Sequence, residues 1–142
     1  MAAPALLVTR VRWRLRSGAL SIAAGVAHGL VAPEHLREWW GYGLFFALAA
    51  LAQVFYGGLL ITAPWSYDDT GGRIGDVRRV ERRVATIGIV ANSAVILLYV
   101  ITRTVGIPFL GPAAGDVEPL GPGGVVTTLV EAVLVGLLVR WR

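Results

Sequence analysis

Glu131 sits in the apolar run VVTTLVEAVLVGLLV, and its carboxylate is the side chain whose presence most needs a reason. A carboxylate in hydrocarbon must hold a proton, pair with a cation or meet donors, and such residues mark ligand, metal or ion-path sites. His28 lies in another apolar run, Glu34 and His35 follow in PEH, and Glu118 precedes the last run. Imidazole with carboxylate suits zinc, copper(II) or non-haem iron. His28, Glu34, His35, Glu118 and Glu131 therefore form a candidate site for a divalent metal or small cation, with Tyr99, Arg103, Asn92 and Gln53 behind them. The spacing of the two histidines matches no standard ligand motif. Haem b is disfavoured, because His28 and His35 flank the turn expected at Pro33 and would have to reach opposite faces of one macrocycle.

Helical periodicity brings these groups onto common faces. If the second helix begins at Pro33, as proline at a first helical position allows, then His35, Trp39, Tyr42, Phe46, Ala49 and Gln53 recur every three or four residues. Gly88, Asn92, Tyr99 and Arg103 share a face of a third helix, and Ser21, Gly25 and His28 a face of the first. At ~1.5 Å per residue, Glu131 and His28 lie roughly 10 and 7 Å from the same end, with Asn92 and Gln53 deeper. The picture is a polar pocket opening at that end.

A packing role competes with this reading: Gln53 bonded to Asn92, and Glu131 neutral or paired with Arg103 or His28, would hold four helices in register. Such bonds average only ~0.6 kcal/mol in membrane bundles, so a buried carboxylate is a costly fastener. A proton relay lacks ionisable groups between Asn92 and the far end. No nucleophile and base share a recognisable arrangement, so an enzyme is not the favoured reading.

The elements that must carry these residues are membrane spans. The chain has 142 residues, 56% of them hydrophobic and 15% charged, with mean hydropathy +0.67, far from soluble averages. Apolar stretches are expected over about 17–32, 41–63, 84–102 and 125–139, forming a single all-α membrane domain, a four-transmembrane-helix bundle. Arg14, Arg16, Arg140 and Arg142, with Trp13 and Trp141, can extend the short outer spans by snorkelling to the interface.

Every basic residue besides the histidines is arginine, and eleven of the thirteen lie before the first span, in the 64–83 connection or after the last span. By the positive-inside rule those parts are cytoplasmic, both termini included, and the Pro/Gly-rich loop over 103–124 is exterior. The cell membrane is the expected location. The arginines flank apolar spans rather than lining a polar face, so nucleic acid is not an expected partner and the lipid bilayer is. The basic start followed by Leu20–Val31 also fits a signal peptide, but no small-x-small site precedes Pro33, so the span is read as retained. Without cysteine there are no disulfides or thiolate sites. Gly25 with Gly29, and Gly57 with Gly58, predict close helix crossings, within the chain or in a homo-oligomer. The alternative function is an accessory or assembly subunit of a larger membrane complex.

HGLVAPEHLREWWGYGLFF, the asparagine-bearing third span, TRTVGIPF and the DVEP segment resemble a group of small four-helix prokaryotic membrane proteins. The resemblance covers His28 to Glu131. It implies fold and topology, and no chemistry.

Overall fold

The computed structural model describes residues 3–66 and 74–142. These form four helices and no strand: α1 (Ala3–Glu38), α2 (Trp40–Thr62), α3 (Ile74–Thr104) and α4 (Pro122–Trp141), with a 3-10 turn at Pro64–Ser66. All four are long and apolar enough to cross a membrane. Residues 67–73, within the connection expected over 64–83 and including Arg73, lie outside the described residues.

One boundary expectation is corrected. Pro33 does not start the second helix; α1 continues through it, and the chain reverses at Trp39, whose backbone is extended (φ −165°, ψ 137°). Proline removes one helical N–H, which is tolerable near the end of a membrane helix where neighbouring groups can meet the freed carbonyl. The reversal instead needs space, and Gly43 supplies it: a Cβ there would lie 2.5 Å from Leu36. His35 thus belongs to α1, and the α2 stripe begins beyond it.

The resulting α1–α2 hairpin is close-packed. A Cβ on Gly57 would fall 2.6 Å from the Gly18 carbonyl oxygen, and one on Gly25 would fall 2.8 Å from that of Ala50. Small residues allow this approach, as in other membrane helix pairs. Gly58 faces open space, so only part of the glycine pattern serves the crossing.

α1 also packs on α4, and α4 on α3, whereas α2 and α3 barely touch. The two ends of the bundle therefore differ. Towards the termini the core is solid: Leu60, Ala85, Leu134 and Leu138 are fully buried, with Trp13, Tyr56 and Trp141 against them. Tyr56 closes the α2–α3 seam there, its hydroxyl donating to the Val84 carbonyl at 3.0 Å while its ring fits over Gly88. Towards the other end Leu44, Phe45 and Leu48 of α2 and Val95 and Leu98 of α3 border one cavity. That end is roofed by the loop between α3 and α4, which turns at Gly106, Gly111 and Gly115, all with positive φ. The loop is fastened by the Glu118 N–H donating to the Thr102 carbonyl (3.0 Å) and the Tyr42 hydroxyl donating to that of Leu110 (2.8 Å).

Candidate functional site

Each helix contributes one polar side chain to a cluster in the apolar interior: His28 from α1, Gln53 from α2, Asn92 from α3 and Glu131 from α4. Glu131 is 1% exposed and the other three no more than 7%. Asn92 donates through Nδ2 to the Gly88 carbonyl of its own helix (2.8 Å), which turns its Oδ1 towards α2. The Gln53 amide nitrogen spends its two hydrogens on Asn92 Oδ1 (3.1 Å) and Glu131 Oε1 (2.6 Å). Its orientation is thus set, since reversing the amide would point an oxygen at a carboxyl oxygen and at an acceptor amide. His28 Nε2 lies 3.0 Å from the same Glu131 oxygen. The backbone beside Gln53 is secured too, its carbonyl accepting the Ser21 hydroxyl at 2.7 Å.

His28 and Glu131 form the floor of a cavity of about 570 Å³. Trp39, Trp40, Tyr42, Phe45, Phe46 and Tyr99 supply an aromatic part of its wall. The His35 ring stacks on Phe46 with centroids 4.3 Å apart and planes 12° from parallel, and Trp39 meets Tyr42 edge-on at 5.0 Å. At the roof, Arg103 is ion-paired with Glu118 and sits 4.9 Å above the Tyr99 ring. The Tyr99 hydroxyl, which belongs to a cavity-lining residue, is buried without a hydrogen-bond partner. Sideways, the cavity reaches the gap between α2 and α3, where Leu44, Phe45 and Leu48 face Val95 and Leu98. The three α2 side chains are exposed on the surface that lipid would cover.

The five expected metal donors are not assembled. Glu34 is exposed and His35 bonds Glu38 at 2.9 Å; Glu118 is taken by Arg103. Among the described residues no group of three or more His, Cys, Asp or Glu side chains is placed to hold a metal. The reason is geometric: six residues along α1 turn Glu34 roughly 240° from His28, and Glu118 is held by the Arg103 guanidinium. His28 and Glu131 do come together, Gln53, expected behind them, bonds Glu131 directly, and Asn92 is linked to the pair through Gln53. The cleft residues Leu44, Leu48, Val95 and Leu98 escaped sequence reasoning, because apolar side chains facing lipid and those edging a cleft look identical in a sequence.

The fold is all-helical, with four helices long and apolar enough to cross a membrane and a cavity over a buried His28–Glu131 pair. Searches against protein-family models, curated proteins and solved structures each returned no match.

Proposed function

We propose that this chain is a membrane-embedded binding protein for a lipophilic molecule with a flat, hydrogen-bonding head, taken from the bilayer through the cleft between α2 and α3. The observation that carries this reading is the His28–Glu131 pair, buried at the base of a cavity whose side wall is an apolar gap. Water-soluble ligands gain nothing from a way in edged by leucine and valine, whereas a lipid-dissolved one already lies there. Aromatic walls favour a planar ring by offset or edge contact. The contact uses His28 Nε2 and Glu131 Oε1, which leaves the imidazole Nδ1 to donate to a carbonyl or accept from a hydroxyl according to tautomer, and the second carboxyl oxygen to accept. A quinone or quinol, or another ring-hydroxylated lipid, has both features. With the arginine-rich end in the cytoplasm of a cell-membrane protein, the cavity lies in the outer half of the bilayer.

The test is titration of the purified protein, in lipid nanodiscs, with a short-chain benzoquinone, read by quenching of the Trp39 environment and by mass spectrometry of lipids retained from native membranes. Saturable quenching and enrichment of a ring-bearing lipid are expected, both at least tenfold weaker in His28→Ala. Retained lipids identical to the surrounding membrane, with linear quenching in both proteins, would overturn the reading.

A second reading has one observation in its favour: the four polar residues come from four helices, and Gln53 ties α2 to two others. If helix packing within an accessory subunit is their whole role, Glu131→Gln changes stability or partner association and leaves lipid retention untouched.

A further inference from the structure

The cavity over the His28–Glu131 pair has a second polar end. Tyr99 stands near the end of α3, and its phenol lies against Gly124 of α4: a Cβ there would fall 2.7 Å from Tyr99 Cε2 and 3.3 Å from the hydroxyl oxygen. Gly124, Thr128 and Glu131 line the cavity along one face of α4, so the Tyr99 hydroxyl lies roughly 10 Å along that helix from Glu131. Arg103 is one turn further along α3, its guanidinium carbon 4.9 Å from the centre of the Tyr99 ring. Its Nη1 is committed to Glu118 and to Thr102 Oγ1, the latter at 3.2 Å. Its Nε and the Tyr99 hydroxyl are buried with no hydrogen-bond partner among the described residues. Residues 67–73 precede α3 at its opposite end, roughly 37 Å along the helix from Tyr99. Two buried donors without an acceptor are costly to the fold alone, and an acceptor on a bound molecule removes that cost.

We infer that Tyr99 and Arg103 recognise the far oxygen of a ring that carries oxygens on opposite carbons and whose near oxygen meets the His28–Glu131 pair. This rests on the reading of the cavity as a site for a flat, lipid-dissolved head, and narrows that head to a para-dioxygenated ring, quinone or quinol. Length selects it. Across such a ring the oxygens are about 5 Å apart, and a hydrogen bond of ~2.8 Å at each end extends the span to about 11 Å, which matches the separation of the two polar ends. A ring with one oxygen, or with two that are not opposite, cannot align with both ends. Donor chemistry agrees: the Arg103 Nε–H can only donate and the Tyr99 hydroxyl can donate or accept, so the roof takes either a carbonyl or a hydroxyl oxygen.

The experiment measures, by anaerobic calorimetry on the protein in lipid nanodiscs, the affinities of dimethyl-para-benzenediol and its meta isomer, which partition alike into the lipid. Wild type is expected to bind the para isomer about tenfold more tightly, as one further hydrogen bond implies. Tyr99→Phe should lower the affinity for the para isomer about tenfold and leave the meta isomer within about twofold, while His28→Ala weakens both. Because the Tyr99 hydroxyl bonds nothing among the described residues, the unfolding midpoint of Tyr99→Phe should match wild type. If that variant nevertheless fails to fold, Gly124→Ala displaces the phenol through a Cβ at 2.7 Å from Cε2 and should abolish the preference in its place. Saturable binding with equal affinity for the two isomers, or equal losses of both in Tyr99→Phe, overturns this inference and leaves the lipophilic-ligand reading standing. Saturable binding of neither isomer overturns both.

Discussion

Replacing Gln53 by leucine should destabilise the bundle far more than its two hydrogen bonds suggest. Those bonds, to Asn92 at 3.1 Å and Glu131 at 2.6 Å, would contribute about 1.2 kcal/mol together at the ~0.6 kcal/mol typical of membrane interiors. Leucine also strips a donor from a carboxyl group that is 1% exposed, and an under-satisfied buried polar group costs about 1–3 kcal/mol. The expected loss is therefore about 2–4 kcal/mol, or roughly 30- to 700-fold in the unfolding constant. α2 has few other attachments to α3 and α4, so little else can compensate. The assay is reversible unfolding in mixed micelles on a double-mutant cycle with Glu131→Leu. Removing both groups should cost at least about 1 kcal/mol less than the sum of the single losses, because the second change removes the stranded carboxylate. Additivity within about 0.5 kcal/mol would refute a direct Gln53–Glu131 interaction.

Three further outcomes are expected. Glu131→Gln should fold with a loss under about 1.5 kcal/mol, since an amide oxygen can still accept from Gln53, yet bind the benzoquinone probe at least tenfold more weakly; unchanged probe affinity would remove Glu131 from the site. Gly57→Ala should cost about 1–3 kcal/mol in the same unfolding assay, because its Cβ would press on the Gly18 carbonyl at 2.6 Å; Gly58→Ala, facing open space, serves as the control. Tyr42→Phe should cost about 0.5–1.5 kcal/mol and speed proteolysis within residues 105–121, since the Tyr42 hydroxyl fastens that loop at Leu110; equal cleavage rates would show the loop is held by other contacts.

The sequence by itself determined the class of fold. Long runs without charge leave a backbone no water to bond with, so helices are the only local solution, and Glu131 stood out because a carboxylate in such a run cannot go unpartnered. Periodicity also gathered Gln53, Asn92 and His28 onto polar stripes of their helices. The sequence also named a Gln53–Asn92 bond and, as one of two options, a Glu131–His28 pair, whereas the bond from Gln53 to Glu131 was beyond it. Period tells the direction of a side chain on its own helix, while contact depends on how helices tilt and cross, and that is set by Gly18, Gly25 and Gly57 on one side and Tyr56 over Gly88 on another. The metal set illustrates the difference: five donors expected together separate into a His28–Glu131 pair, a His35–Glu38 pair, a Glu118–Arg103 pair and an exposed Glu34. The cleft between α2 and α3 belongs wholly to tertiary structure, because an opening consists of contacts not made, and residues edging it are drawn from the same apolar alphabet as those that meet lipid.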